Sequence, residues 1–345
     1  MLTVRPDLQT RGYGKFIISV AENFARPHWH AELIEMSVLI QRTELVAYYI
    51  RRGYIDTGRR QPFSPDDSRF EEEHTRKYRL HRPNYSKQLF EHIINYYFNG
   101  NQTNEKIPLA LDVGCGNGQA TIGLSLYCDR VIGIDASENQ IAHAIEKDNI
   151  EYRCNKAEDL TFLESNSVDL ITVATVLHWL NLELFVEEVK RVLKPNTGVL
   201  AIWTYGVRTL DNPNADAIHY EFDRIILFPY WNSRRWLCDD YYKLLLPLLP
   251  YKSTLVEYTI EQKTETSIGQ YIDSIETYSA CQTYRKQEGE KAYQDLLKIF
   301  REKIIDSYTK TLNGTTNDET IDFNSIKLSI SGLIRLYLMR KNDIH

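Results

Sequence analysis

The sequence lacks an apolar run long enough to cross a bilayer, and its first residues lack the apolar core of a signal peptide. Cysteine is scarce: there are five, an odd number, and no two of them form a Cys-x-x-Cys pair. Thiols scattered in this way are typical of a reducing compartment and argue against a zinc site. A net charge of −6 argues against a general binder of nucleic acid backbones. We therefore expect a cytoplasmic protein that binds no metal, no membrane and no nucleic acid.

The chain has 345 residues, of which 43% are hydrophobic and 26% are charged, as in soluble globular proteins. That length suffices for one large domain or two smaller ones, in a monomer or a homodimer. A polar segment with a proline, residues 64–68, marks a boundary. We predict a small fragment over residues 1–63, a linker with N-terminal helices over 64–106, and a main domain over 107–345 with a helical cap within about 206–320.

One stretch of the main domain, Leu109 to Asp135, carries a pattern that indicates a ligand. An apolar strand leads into a glycine-rich turn, an apolar helix and a second strand that ends in a carboxylate. Gly114, Gly116 and Gly118 permit backbone angles that a Cβ would hinder, and they let a ligand lie against the main chain. The helix that follows presents its first amide groups to the same ligand. The pattern is typical of half of a nucleotide-binding α/β unit.

The kind of nucleotide follows from the residues around the glycines. Gln119 stands where a dinucleotide-binding G-x-G-x-x-G motif needs its third glycine, and Asp112 precedes the loop, where it would repel a pyrophosphate. Asp135 lies 21 residues after Gly114 and can accept hydrogen bonds from both hydroxyls of a ribose. These features favour a nucleoside with a positive or zwitterionic end over a redox dinucleotide. S-adenosylmethionine has that character.

The alternation of strand and helix patterns continues along the chain and predicts an α/β fold. Strand patterns lie at residues 109–113, 130–134, 151–154, 168–173 and 199–203, and helix patterns at 119–127, 138–147 and 182–193. The segment 194–198, with a proline and a glycine, ends the last of these helices. Further helices are predicted around 268–278 and 289–312, and further strands at 254–260 and within 330–339.

Several segments together resemble a class I, seven-stranded, S-adenosylmethionine-dependent methyltransferase. They are Asp112 to Thr121, Val131 to Ile141, Ala157 to Leu160, the pair His178-Trp179, and Arg191 to Pro195. The His-Trp pair and the segment Tyr78 to Tyr85 are most similar to the small-molecule branch that includes trans-aconitate methyltransferase. The resemblance covers the chain from about Phe70 onward. It implies a three-layer, Rossmann-like seven-stranded sheet with a helical cap, and methyl transfer to a small-molecule acceptor.

The resemblance also implies which residues hold the cofactor, S-adenosylmethionine. Asp112 and the glycines would border its methionine end, Asp135 its ribose and Ala136 its adenine ring. Tyr78 and Arg82 resemble a segment that closes over the cofactor. The full set of implied cofactor residues is Tyr78, Arg82, Asp112, Gly114, Cys115, Gly116, Gly118, Asp135, Ala136, Gln140, Ala157, Glu158 and Ala174.

His178 and Trp179 follow the fourth strand and are the candidate catalytic residues. An imidazole can orient an acceptor or take its proton near neutral pH, and the alternative is a histidine at a helix end that packs beside a tryptophan. Arg234 and Arg235, with Trp231 beside them, are the candidate substrate residues. An arginine fork suits a carboxylate acceptor, and the alternative is a pair of surface arginines. A carboxylate needs no base to attack a methyl group.

A second resemblance concerns the first fragment. Arg11-Gly12-Tyr13-Gly14 resembles the pyrophosphate loop of the GNAT N-acetyltransferases, and Thr43 to Tyr54 resembles the last helix and strand of that family. In that family the tyrosine that matches Tyr49 often serves as a general acid. We expect a partial fragment, because the first strands of that fold have no counterpart in the sequence. Two other functions stay open: a protein related to N-acetyltransferases, and a non-catalytic binding protein with a methyltransferase fold.

Overall fold

The computed structural model describes residues 18–20, 43–58, 85–101, 103–312 and 326–342. The chain forms two compact units, Met1–Pro65 and Asp66–His345. In the first unit, α1 (Thr43–Arg51) is the helix that the N-acetyltransferase-like pattern predicts, but residues 54–58 do not form the strand predicted after it. The Tyr49 ring packs edge-on against the rings of Tyr48 and Tyr54, at centroid distances of 5.3 and 5.7 Å. The predicted pyrophosphate loop, residues 11–14, lies outside the described residues.

The described part of the second unit is built on a sheet of eight strands. They are β1 (Ile107–Val113), β2 (Cys128–Asp135), β3 (Ile150–Cys154), β4 (Leu170–Ala174), β5 (Val199–Tyr205), β6 (Thr209–Leu210), β7 (Val256–Ser267) and β8 (Lys327–Arg340). Their order is β3-β2-β1-β4-β5-β8, and β7 pairs with the other side of β8. The first five strands are parallel, whereas β8 runs antiparallel to β5 and β7. The predicted sheet is confirmed with one addition, the two-residue β6, which pairs with β8 beyond the end of β5.

Helices cover both faces of this sheet because its central strands are buried on both sides. These helices are α2 (Lys87–Tyr97), α3 (Gln119–Leu124), α4 (Glu138–Ala142) and α5 (Leu182–Val192). Phe185 and Val189, on the apolar side of α5, pack against one face of the sheet. Leu89 and Ile93 of α2 pack against the other face, in a core that includes the side chain of Trp203 from β5. The expected three-layer, Rossmann-like arrangement is confirmed.

The described part of the region predicted as a helical cap contains five α-helices: α6 (Pro213–Glu221), α7 (Trp236–Asp239), α8 (Ile268–Glu276), α9 (Ser279–Glu288) and α10 (Glu290–Leu312). All of them except α7 share a core of their own, in which the rings of Phe222 and Phe300 stack at 4.1 Å, whereas Leu237 and Cys238 of α7 pack into the core on the α5 side of the sheet. Helix α8 begins with a capping box, since the Ser267 side chain accepts from the Gln270 amide and the Gln270 side chain accepts from the Ser267 amide. None of the described helices is both long enough and apolar enough to span a membrane.

Two predicted helices are shorter than their patterns suggest: α3 ends at Leu124 instead of residue 127, and α4 differs more. The pattern favours helix over residues 138–147, but α4 ends at Ala142. Tertiary contacts end the helix, because Ile145 makes hydrogen bonds that it could not make within a helix. Its N–H donates to the carbonyl of Asn117 at 3.2 Å, and its carbonyl accepts from the Tyr152 hydroxyl at 3.1 Å. These bonds bring residues 143–149 to the glycine-rich turn after β1.

Candidate active site

The glycine loop, residues 114–118, joins the end of β1 to α3. Gly114, Gly116 and Gly118 have φ angles of 64°, 57° and 99°, in the left-handed region that favours glycine. A Cβ on Gly114 would lie 2.5 Å from Cγ2 of Val176, and a Cβ on Gly118 would collide with the hydroxyl of Tyr152. A Cβ on Gly116 would meet no atom closer than 3.8 Å. A Cβ on Gly116 would therefore make only ordinary contacts, whereas a Cβ on either of the other two glycines would collide with a side chain.

Two glutamine side chains flank the space over Gly116. The Oε1 atoms of Gln119 and Gln140 each lie 3.8 Å from the position of a Cβ on Gly116. Gln119 Nε2 and Gln140 Oε1 are buried, and neither has a hydrogen-bond partner among the residues that the structure describes. Burying a polar atom without a partner costs about 1–3 kcal/mol. An amide donor and an amide acceptor that stay unpartnered at that cost suit a ligand with both a carboxylate and an ammonium group.

Gln140 is among the residues predicted from the sequence, but Gln119 is not. The dinucleotide motif treats position 119 only as a missing glycine, so the pattern says nothing about the side chain that replaces it. One available signal is its place at the first position of α3, directly after the last glycine of the loop. A long polar side chain at that position can reach a ligand bound at the helix N-terminus.

Asp135, at the end of β2, fastens the glycine loop to the neighbouring strand. Its Oδ2 accepts a hydrogen bond from the N–H of Gly116 at 2.9 Å, and its Oδ1 accepts one from the N–H of Ser137 at 2.9 Å. The side chain is half-buried. Because a carboxylate oxygen can accept two hydrogen bonds, these backbone contacts are compatible with the predicted contact to a ribose.

Asp112 lies within β1 and is fully buried. Its two oxygens accept hydrogen bonds from the hydroxyls of Thr121 and Thr172, both at 2.7 Å. Burial raises the pKa of Asp112 to about 6, although the two hydroxyls lower it. The carboxylate therefore ties β1 to β4 and to α3 beneath the loop. Its contact with the methionine end of a cofactor stays a prediction.

The residues predicted on the adenine side lie near the ends of β2 and β3. Ala136 is exposed, Ala157 is buried, and the Glu158 carboxylate accepts a hydrogen bond from the N–H of Asn181 at 2.6 Å. Cys115 is buried within the loop, and its Sγ lies 3.4 Å from the carbonyl of the next residue. All these residues follow the carboxyl ends of parallel strands, where ligands of open α/β sheets bind.

Ala174 ends β4 on the other side of the glycine loop. Strand β4 is parallel to β1, with Val173 opposite Val113, so the residues after both strands leave the sheet side by side. The side chain of Val176 packs against Gly114. The structure thus places Ala174 next to the loop, and its role toward the cofactor stays a prediction.

His178 and Trp179 form a single 3₁₀ turn with Leu177, directly after β4. The His178 side chain is buried, and its Nδ1 lies 3.1 Å from both the Tyr242 hydroxyl and the Cys238 Sγ. The rings of His178 and Trp179 are 4.8 Å apart. These contacts fix the imidazole by packing and hydrogen bonding. A catalytic role for the pair stays a prediction.

The two candidate substrate arginines do not form one fork. Arg234 donates from Nη1 to the carbonyls of His178 and Trp179, at 3.1 and 3.4 Å. Arg235 instead pairs with Asp239 at 2.5 Å and lies 5.3 Å from the centre of the Trp231 ring. Arg234 therefore contacts the turn after β4, whereas Arg235 belongs to a charge cluster in the cap.

That cap charge cluster consists of Asp223, Arg224, Arg235 and Asp239. Arg224 bonds Asp239 at 2.5 and 3.2 Å and lies 2.8 Å from Asp223. Trp231 donates its indole N–H to an Asp223 carboxylate oxygen at 3.1 Å. Two arginines and two aspartates balance in charge, which lets the cluster be largely buried.

Two predicted site residues, Tyr78 and Arg82, lie outside the described residues. Within the described ranges, no group of three or more His, Cys, Asp or Glu side chains could hold a metal ion. The structure brings together a glycine loop with two glutamine side chains, the carboxylate of Asp135, and a turn that contacts the cap through Arg234.

Comparisons with known proteins agree with this geometry. The sequence profile described as a methyltransferase domain matches residues 111–202. A Dictyostelium discoideum protein assigned as a methyltransferase is 36% identical over 252 residues, which cover 72% of this chain and 89% of the relative. CRG1 of Saccharomyces cerevisiae, assigned as an S-adenosylmethionine-dependent methyltransferase, is 31% identical over 150 residues, which cover 41% of this chain and 49% of CRG1.

A solved structure supports the same family. A protein of Anaeromyxobacter dehalogenans, assigned as a type II methyltransferase, is 26% identical with a TM-score of 0.58, over 76% of this chain and 98% of that one. The trans-aconitate branch and the N-acetyltransferase-like fragment stay predictions. The chain belongs to the family of class I S-adenosylmethionine-dependent methyltransferases.

Proposed function

We propose that this protein transfers the methyl group of S-adenosylmethionine to a small-molecule acceptor. The observation that carries the proposal is the pair of glutamine side chains beside Gly116, in which Gln119 Nε2 and Gln140 Oε1 are buried without a hydrogen-bond partner among the described residues. An amide donor beside an amide acceptor suits the zwitterionic amino acid end of this cofactor. A pyrophosphate offers acceptors only, so it would leave Gln140 Oε1 without a partner.

In this proposal, different residues of the chain bind different parts of the cofactor. Gln119 donates to the carboxylate, and Gln140 accepts from a donor group of the ligand. Asp135 binds the ribose hydroxyls, while Ala157 and Glu158 border the adenine. When bound, S-adenosylmethionine supplies an electrophilic methyl group, and the protein contributes by aligning the acceptor with it and by excluding water.

We propose that the methyl acceptor binds between the cap and the turn after β4. His178 and Trp179 form that turn, and Arg234 joins it to the cap through two carbonyls. Small carboxylic acids are the first acceptor class to test, because a guanidinium binds a carboxylate well. Arg234 is the better placed of the two arginines, since Asp239 already neutralises Arg235.

The proposal is tested first by binding. We expect Gln119→Glu to weaken binding of S-adenosylmethionine at least tenfold, because it replaces an N–H donor by a second negative charge next to the ligand carboxylate. Gln287→Glu adds the same charge at an exposed position of α9 and is the matched control, with unchanged affinity. Isothermal titration calorimetry measures both. Equal affinities for Gln119→Glu and wild type would contradict the proposed site.

Turnover is tested second. Wild-type protein is incubated with S-adenosylmethionine labelled in the methyl group and with panels of small carboxylic acids, amines and phenols. We expect label in one acceptor class, together with release of S-adenosylhomocysteine. Tight cofactor binding without transfer to any panel would favour the alternative of a non-catalytic binding protein.

A further inference from the structure

Strand β7, Val256–Ser267, lies at an edge of the described sheet. It has 12 residues and pairs along its whole length with β8, its only partner among the strands that the structure describes. The other side of an edge strand presents a row of N–H and C=O groups to which a further strand can bond. The pairing of β8 shows which residues of β7 carry those groups.

The hydrogen bonds of β8 alternate between its two neighbours, as in any antiparallel sheet. On the side of β6, the Ser329 carbonyl accepts from the Asp211 N–H at 3.1 Å, and the Ser329 N–H donates to Asp211 Oδ2 at 3.1 Å. On the side of β7, the Ile268 N–H donates to the carbonyl of Ile326 at 3.1 Å. Odd-numbered residues of β8 therefore bond away from β7. The odd-numbered residues of β7 lie opposite them, so they point their N–H and C=O groups toward the edge.

Five residues of β7 that face the edge in this way also have exposed side chains. They are Glu257, Thr259, Glu261, Lys263 and Glu265. Within the described ranges, their edge-facing backbone groups have no hydrogen-bond partner, and neither Glu261 nor Lys263 forms an ion pair. Because alternate residues of a strand share one face, these two opposite charges lie side by side on the same face of the sheet.

The order of the charges makes β7 complementary to a second copy of itself. Two copies pair antiparallel about a two-fold axis, with edge-facing residues opposite each other. An axis at Glu261 or at Gln262 pairs nearly the whole strand. The axis at Glu261 sets that carboxylate opposite its own copy, which is destabilising. The axis at Gln262 sets Glu261 opposite Lys263 of the second copy on both sides of the axis, and Thr259 opposite Glu265, so no like charges meet.

We propose that the edge of β7 is a dimerisation surface, on which β7 of a second copy of this chain pairs antiparallel about an axis at Gln262. The two sheets then form one continuous sheet. Charged residues on an edge strand commonly prevent pairing with other chains, but here they alternate so that they attract the same strand of a second copy. The dimer does not depend on the cofactor, because β4, β5 and β8 separate β7 from β1 and its glycine loop.

Charge reversal tests the proposed contacts. Glu261→Lys and Lys263→Glu each replace both attractive pairs by like charges, so we expect each to raise the dissociation constant of the dimer at least about tenfold. The double variant, Glu261→Lys with Lys263→Glu, restores opposite charges and should dimerise within about threefold of wild type. Sedimentation equilibrium of the full chain measures these constants, and urea unfolding checks that each variant is folded. The single variants control for each other, because they change the net charge in opposite directions.

A cysteine at the axis tests the register. The two Gln262 residues would form a non-hydrogen-bonded pair with Cα atoms about 4.5 Å apart, a distance that a disulfide can span. We therefore expect Gln262→Cys to give a covalent dimer on mild oxidation, in a Cys154→Ser background because Cys154 is exposed. Glu257→Cys in the same background is the matched control. The two copies of residue 257 would lie about 33 Å apart along the strands, so this variant should not cross-link.

Other outcomes overturn the inference. A wild-type chain that stays monomeric at every concentration has no such surface, and a dimer that neither charge reversal weakens forms elsewhere. If the two single variants shift the dissociation constant in opposite directions, net charge explains the effect. Equal cross-linking through positions 257 and 262 would contradict the axis at Gln262.

Discussion

Alanine substitutions at two glycines of the same loop should affect stability and cofactor binding differently. We expect Gly114→Ala to lower the free energy of unfolding strongly. We expect Gly116→Ala to lower that energy by only about 1 kcal/mol and to weaken binding of S-adenosylhomocysteine at least tenfold. The φ angles are similar, 64° and 57°, so the backbone cost of adding a Cβ is similar at both positions. The difference lies in what the new methyl group meets.

The magnitudes follow from the contact distances. Holding an alanine in the left-handed region costs about 1 kcal/mol at either position. At Gly114 the Cβ would come within 2.5, 2.8 and 2.9 Å of three atoms of Val176, and overpacking of this kind adds about 1–3 kcal/mol. At Gly116 the nearest atoms, 3.8 Å away, are in ordinary contact. We therefore expect a loss of about 2–4 kcal/mol for Gly114→Ala and about 1 kcal/mol for Gly116→Ala.

Urea unfolding measures the two free energies, and calorimetry measures the affinity for S-adenosylhomocysteine. The Gly116→Ala methyl group enters the space between Gln119 and Gln140, so we expect at least a tenfold loss of affinity in a well-folded protein. The reasoning is refuted if Gly116→Ala binds the nucleoside as tightly as wild type, or if the two substitutions cost the same free energy of unfolding.

Three further substitutions test other parts of the structure. The pKa of Asp112 is raised to about 6 from the ordinary 3.8, so the stability that this carboxyl contributes is present below pH 4 and is lost as the pH rises to 6. Over that range, the free energy of unfolding of Asp112→Asn should rise by about 3 kcal/mol relative to that of wild type. A difference in urea unfolding that does not change with pH would contradict this prediction. Asp239→Asn leaves Arg224 and Arg235 without their shared carboxylate and should cost about 3 kcal/mol of unfolding free energy, against no loss if the cluster is dispensable. The buried ammonium of Lys341 donates to a side-chain oxygen and to two backbone carbonyls at 2.8–2.9 Å. Lys341→Met should therefore lower the free energy of unfolding by about 3 kcal/mol in the same assay. An unchanged free energy would show that water can take the place of the ammonium group.

The order of apolar segments predicts most of the sheet. Parallel strands buried on both faces give continuous apolar runs, so β1, β4 and β5 are visible in the sequence without any tertiary information. The end of α4 is not, because the hydrogen bonds of Ile145 to Asn117 and Tyr152 join residues distant in the sequence. The two-residue β6 is likewise defined only by its pairing with β8.

In the candidate site, too, some features can be predicted from the sequence and others depend on tertiary contacts. Gly114, Gly116 and Asp135 have local reasons for their identity, and the structure brings them together as the pattern predicts. The proposed role of Gln119 depends on burial without a partner, which only the folded chain reveals. The two arginines look equivalent in the sequence, whereas their partners are different in the structure.

The measurement that most directly tests the central claim is a calorimetric titration of the full chain with S-adenosylhomocysteine and, separately, with NAD. We expect one site for S-adenosylhomocysteine per chain, strongly weakened in Asp135→Ala, and no binding of NAD. Binding of NAD in place of S-adenosylhomocysteine, or an affinity for the nucleoside that Asp135→Ala leaves unchanged, would contradict the assignment of this loop.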